Sequence, residues 1–204
     1  MRDACISFHA PSFVENDVKC AALAEMKYGL ARGEGKKPTL LVWPGSGIGG
    51  ATIVKGRLHP GSSAFSSEFG HMKIAYGKNA RKCGCGKKGC FEAYCGGKGI
   101  EKAYFAAFGK RKSAKEIFSS ASSADNSYAK DAAHLFGLGL AKIANKLKPS
   151  LFVVGGSLSK AYLGKCRQAV LASFAARASP EARKARMLKS RLAHAVLLGA
   201  NLIQ

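Results

Sequence analysis

Apolar and polar positions along this chain repeat with two periods, one suited to strands and one to helices. PSFVEN at 11–16 is a short apolar run ending on polar residues and predicts a strand. Asn16 and Asp17 then open VKCAALAEMKYGLARG, where Ala21, Ala22, Glu25 and Met26 fall at helical spacing and glycine closes the element. GEGKKP reads as a loop and TLLVW as a buried strand. PGSGIGG is a glycine turn, and ATIVKGRLHPG reads as strand, tight turn at Lys55-Gly56, and second strand. Residues 61–99 form a long connection rich in Gly, Ser, Lys and Cys, which needs something other than a core to order it. From residue 100 the pattern is helical through EKAYFAAFGK. A Ser-rich loop at about 119–127 follows, then a helix from about Tyr128 to Lys148, stopped by Pro149. LFVVGGS predicts a buried strand entering another glycine turn. The remainder is expected to be helical, with a break near Ser179-Pro180 and a last apolar helix over 192–202. A hairpin followed by strands alternating with helices predicts an α/β fold. No internal repeat is visible.

Composition narrows the function classes. With 47% hydrophobic and 22% charged residues the chain is globular. No apolar run approaches the roughly 20 residues needed to span a bilayer, and MRDACISFHAPSF lacks the pattern of a signal peptide, so a cytoplasmic protein is expected. The 33 basic against 12 acidic residues give a net charge of +21, which admits nucleic acid as a partner. The charge is dispersed, however, with local clusters at 78–88, 110–115 and 183–191, and no RRM, KH, zinc-finger or helix-turn-helix pattern accompanies it. A solvated basic face is the plainer reading, and neither nucleic acid nor membrane is the expected partner.

Of the seven cysteines, Cys5, Cys20, Cys95 and Cys166 are scattered and read as ordinary thiols. Cys83, Cys85 and Cys90 instead lie in GHMKIAYGKNARKCGCGKKGC with His71, at the spacing H-x11-C-x-C-x4-C. Three thiolates and an imidazole suit tetrahedral zinc with a closed shell, hence a structural site. Binding would order a segment poor in core residues, and the isolated chain is expected to bind zinc and fold around it. The competing reading is a set of reduced surface cysteines.

Other candidates are weaker alone. GSGIGG at 45–50 follows a strand and exposes backbone N–H groups that could cradle phosphate, but a hairpin turn needing positive φ looks the same. Gly155-Gly156-Ser157 is similar and could be a plain strand-to-helix turn. Asn16-Asp17 reads as a helix N-cap, or as a general base at a strand's carboxyl end in a crevice. Glu68 and Glu92 bracket the cysteine segment, either as solvated carboxylates or as acceptors for sugar hydroxyls.

Taken in order, VENDVKCAALAE (14–25), GSGIGGATIVKGRLHPG (45–61), SEFGHM (67–72), CGCGKKGCFEAY (83–94), VVGGSLS (153–159) and HAVLLGANL (194–202) resemble the ROK family of repressors and sugar kinases, especially its glucokinase-like members. The resemblance implies an actin-like, ribonuclease-H-like ATPase fold and transfer of the γ-phosphoryl of ATP to a hexose, commonly at the 6-hydroxyl, with Mg²⁺. It makes Asp17 the catalytic base. It makes Asn16, Glu68, His71 and Glu92 sugar contacts, with His71 also a zinc ligand. It places Gly45, Ser46 and Gly47 at phosphate, and Gly155 and Gly156 near adenosine. Residues 1–191 would form the larger, C-terminal lobe, and the helix of 192–204 would pack on a lobe that precedes it in the family.

Three departures accompany the resemblance. A typical ~300-residue relative would carry roughly 90 residues ahead of the END motif, including an acidic strand and glycine-threonine turn. Weak activity alone and pairing with a second copy or a complementing lobe are therefore expected. A non-catalytic sugar-binding or regulatory protein is the alternative. Pro44 stands where an apolar β-former is usual, and Ala51 replaces a glycine, which matters only if φ there is positive.

Overall fold

The computed structural model describes residues 13–60 and 68–203. Cys5, residues 11 and 12 of the expected first strand, and Ser67 of SEFGHM lie outside the described residues. The order is α1 (Asp17–Tyr28), β1 (Thr39–Pro44), β2 (Ile48–Val54), β3 (Arg57–Leu58), a 3-10 turn (Phe69–His71), α2 (Glu92–Cys95), α3 (Gly97–Phe108), α4 (Ala114–Ser119), α5 (Ser123–Leu147), β4 (Leu151–Val154), a π-helical turn (Ala161–Lys165), α6 (Arg167–Arg177), a 3-10 turn (Ala182–Lys184), β5 (Arg186–Lys189) and α7 (Ala195–Ala200).

The strands form one mixed sheet in the order β3-β2-β1-β4-β5. The hairpins are antiparallel, and β4 and β5 run parallel to β1. Strand period two sorts the side chains. Leu40, Val42, Phe152 and Val154 face a thick helical layer around α5 and α6, where Phe136 stacks on Phe91 and on Tyr162. Leu41, Leu151, Val153, Ala51 and Ile53 face the thinner layer of α1 and α7. Helices on both faces of this mixed sheet agree with the α/β fold that the sequence pattern predicted.

Local chemistry sets the boundaries. The β2–β3 turn places Lys55 at φ 52° and Gly56 at φ 70°, the pair of left-handed residues that a tight hairpin of this hand requires. Ala51 is buried in β2 outside the left-handed region, so its methyl is tolerated. Pro44 pairs with Ile48 as the last residue of β1, and the parallel ladder with β4 ends before it at Val42, so its missing N–H leaves that ladder intact.

Several boundaries differ from expectation. Residues 13–16 form no strand: Phe13 and Val14 are exposed, and Asn16 is committed to capping α1. The serine-rich loop expected at about 119–127 shrinks to 120–122: α4, opened by a capping box of Ser113 and Glu116, ends at Ser119, and α5 begins at Ser123. The polar start of α5 is held because buried Asp125 accepts hydrogen bonds from Tyr104 (2.5 Å) and Lys112 (2.6 Å). Residues 186–189, expected to be helical, form edge strand β5. Ser190 just beyond it donates to the buried Glu25 carboxylate (2.5 Å), which also accepts from the Leu30 N–H (2.8 Å) and so ties the sheet edge to the end of α1. The final helix is shorter than predicted. It lies on α1 through Ala195 and Gly199 and leaves Leu197 exposed on its outer side.

Candidate active site and metal centre

The site is assembled from helix and strand ends. Asn16 Oδ1 accepts from the N–H groups of Val18 (3.0 Å) and Lys19 (3.2 Å), so the N-cap reading of Asn16 holds. The cap leaves Asp17 as the first residue of α1, exposed, with Oδ1 accepting the Val18 N–H at 2.8 Å. Asp17 thus stands at a helix start and not at the carboxyl end of a strand; no strand is formed among the described residues before it.

Across from Asp17, the turn after β1 is wired so that its acceptors point away from it. The carbonyls of Gly45 and Ser46 accept the N–H groups of Gly97 (2.8 Å) and Lys98 (2.9 Å), at the start of α3. The Gly45 N–H closes the turn on the Gly47 carbonyl (2.9 Å). Lone pairs are thereby turned into the protein, and the positive end of a helix lies behind the turn, an arrangement favourable to an anion in front.

Glu92 joins this turn to the metal segment. Its Oε2 accepts the Ile48 N–H at 3.0 Å, while Oε1 accepts the Cys83 thiol at 3.8 Å. A Cβ on residue 47 would lie 2.2 Å from Oε2, so glycine at 47 is required for Glu92 to reach Ile48.

The four expected metal ligands converge. His71 Nδ1, Cys83 Sγ, Cys85 Sγ and Cys90 Sγ all lie within 4.8 Å of one another. Cys85 and Cys90 sulfurs are 3.7 Å apart, and Cys83 Sγ is 3.7 Å from His71 Nδ1. In a tetrahedral zinc site with Zn–S bonds of about 2.3 Å, neighbouring sulfurs stand about 3.8 Å apart, so the donor set fits zinc in type, number and spacing. Burial pushes the Cys90 thiol up to about 12 and raises Cys83, while the Lys87 N–H lowers Cys85. A bound cation would have to displace protons from the two buried thiols. The segment is laced to the core: the Phe91 N–H meets the Met72 carbonyl (2.8 Å), and the N–H groups of Ile74 (2.8 Å) and Ala75 (3.2 Å) meet that of Gly89. Cys20, Cys95 and Cys166 are buried thiols apart from this group.

With Nδ1 turned to Cys83, His71 directs Nε2 towards Glu68 Oε2, 3.8 Å away. Both line a cleft of about 470 Å³ that also takes in Asn16, Asp17, Gly45, Ser46, Gly47 and Glu92. Eight of the ten residues expected to bind or react with substrates therefore share one cleft. Gly155 and Gly156 are not among those lining it. Trp43, Lys19 and Pro60 line it and were not anticipated. Lys19 pairs with Glu15 at 3.2 Å, and Trp43, the only tryptophan, sits two residues before the turn, the signal that could have found it.

Among known proteins, the ROK family model matches residues 6–203. A glucokinase of Halalkalibacterium halodurans is 32% identical over 168 residues, 74% of this chain and 50% of that protein. The ROK hexokinase of Thermus thermophilus superposes with a TM-score of 0.82 at 30% identity, covering 98% of this chain and 67% of that one. A ROK family glucokinase of Streptomyces griseus, solved with glucose and AMPPNP, gives 0.79 at 25% identity, covering 98% and 70%. The chain spans about half the length of the curated relatives it matches over most of its own sequence. No helix among the described residues is long and apolar enough to cross a membrane.

Proposed function

The chain belongs to the ROK family and has its actin-like ATPase fold, and on that premise we propose that its cleft serves the phosphorylation of a hexose by ATP, in the manner of a glucokinase. One observation carries the reading. A carboxylate, Asp17, lines the same cleft as the anion-favouring turn 45–47 and the polar trio Glu68, His71 and Glu92.

In this reading Glu68, Glu92 and His71 Nε2 hold the sugar's hydroxyls, and Asn16 contributes through the side-chain atoms left over from capping. Asp17 accepts the proton of the attacking hydroxyl as the phosphoryl group is transferred. Because the Gly45 N–H is used within the turn, Ser46 and Gly47 offer the phosphate-facing donors. Magnesium arriving with ATP supplies charge neutralisation at the phosphates. The carboxylates lining the cleft that would serve it as hard oxygen donors are Asp17, Glu68 and Glu92, each of which also has a protein contact. Zinc held by His71, Cys83, Cys85 and Cys90 would be structural, fixing the imidazole and the Glu92 carboxylate at the pocket wall without taking part in the reaction. In that role the protein would act in the cytoplasm at the entry of sugars into glycolysis, with a second copy or a complementary lobe as its protein partner.

The test is glucose binding by calorimetry together with glucose-dependent ADP release. Asp17→Asn should lower turnover by about 10²- to 10⁴-fold while glucose affinity is retained. Equal turnover in both proteins, or no glucose binding, overturns the reading. Glucose binding with no ADP release from either points to the sugar-binding, regulatory alternative.

A further inference from the structure

Trp43 and the glycine turn after β4 occupy each other's space. Trp43 lies on the α1–α7 face of the sheet, opposite Gly49 in the hairpin ladder. The six-membered ring of its indole fills the position a side chain at residue 155 would take: a Cβ there would fall 2.0 Å from Cζ3 and 2.1 Å from Cη2. A Cβ on Gly156, whose φ is +77°, would come within 3.1 Å of the indole Cδ1. Gly155 is buried, and neither glycine lines the cleft, whereas Trp43 does. The glycines supply the room, and the indole supplies the surface.

This changes what a nucleotide would meet. A nucleotide with its phosphates on turn 45–47 meets, within the same cleft, the half-buried ring of Trp43, two residues before the turn, whereas Gly155 and Gly156 do not line that cleft. A purine or ribose needs an apolar face there, and an indole offers one at small entropic cost. We propose that Trp43 is a nucleotide-binding residue that stacks on the nucleoside part of ATP, in place of the backbone of Gly155 and Gly156. The assignment rests on the reading of the cleft as a kinase site.

Trp43 is the only tryptophan, so its emission reports on this one place. The 204-residue chain is titrated with Mg-ATP, with magnesium tripolyphosphate, which has the phosphates and no nucleoside, and with glucose, each followed by fluorescence and by calorimetry. ATP should change the emission, and the other two ligands should leave it nearly unchanged although they bind. Trp43→Ala should weaken ATP about tenfold and leave tripolyphosphate within about twofold, and Trp43→Phe should recover most of the loss. Equal emission changes with ATP and tripolyphosphate overturn the assignment, as does a change with glucose alone or undiminished ATP binding by Trp43→Ala. If that variant fails to fold, the wild-type titrations decide. Heat from ATP with silent emission removes the role of Trp43 and leaves the kinase reading standing. No heat from either phosphate ligand overturns both.

Discussion

The sheet with its helices and the segment from Glu68 to Cys90 hold their shapes by different means. In the first, order comes from burial: Leu40, Leu41, Phe136, Leu140 and Phe152 are fully enclosed, and helices cover both faces of the sheet. In the second, the buried apolar material around the cysteines is one small group of Cys83, Cys90 and Ala93 with Tyr94 against it. Phe69, Met72 and Ile74 anchor its start on the main core, and the rest is backbone hydrogen bonding, glycine geometry and four converging candidate ligands. One region is held by apolar area, the other by a few core contacts and hydrogen bonds around a candidate metal set, and the cleft lies where they meet. His71 is placed by a turn whose Phe69 is buried in the main core, while the cysteines that face it lie in a stretch with little core, where a bound metal would supply the missing order.

The most severe challenge to this contrast falls on the core. Phe136→Ala removes a fully buried ring stacked on Phe91 (5.5 Å) and Tyr162 (4.0 Å). It should cost about 3–5 kcal/mol, read as a lowered midpoint in urea. A loss below about 1 kcal/mol would mean that the helical layer is not the seat of stability.

Metal removal tests the other half. Chelation, or Cys90→Ser, should weaken glucose about 10- to 100-fold and speed amide exchange over 71–90. The strand amides of residues 40–42 and 152–154 should keep their protection. If chelation left glucose affinity and thermal stability unchanged, the four ligands would be bystanders. If it unfolded the sheet as well, the two regions would be one cooperative unit.

The same contrast explains what could be read from the sequence. Strands β1, β2 and β4 and the helix α5 were visible because burial imposes a period on apolar residues. The candidate metal ligands were visible because a metal site imposes a spacing. Edge strand β5 was hidden because only Met187 of its four residues is buried and both ends are basic, a pattern typical of a protected edge. The start of α5 was hidden because SADNS is ordered by contacts from α3 and the loop after it. The two jobs of Glu92 were invisible, since its partners are Ile48, 44 residues away, and a thiol 9 residues away. Trp43 was passed over because its neighbour across space, Gly155, is distant in sequence.

The smallest expected effect lies at that hidden helix start. Contact with Lys112, helped by Tyr104, holds the Asp125 carboxyl well below the usual carboxylate range. A depressed folded-state value means the clamp stabilises the fold above the unfolded value, about 4, and loses that contribution as pH falls below it. Asp125→Asn should therefore melt a few degrees below the parent at pH 7, and the gap should shrink steadily as pH is lowered through 4. A gap that stayed constant in thermal melts across that range would assign the effect to packing and not to charge.

Glu92 carries a consequence for redesign. Because one carboxylate touches both the strand after the glycine turn and a cysteine of the candidate metal set, and requires glycine at 47, residues 45–48 and 83–92 form a single transplantable part. Swapping either piece alone from a relative with another sugar preference would break a shared joint, whereas exchanging them together would keep it. If the cleft serves a hexose as proposed, sugar selectivity in this scaffold would be inherited in blocks, and point-by-point retuning of the pocket wall would have to work around that joint.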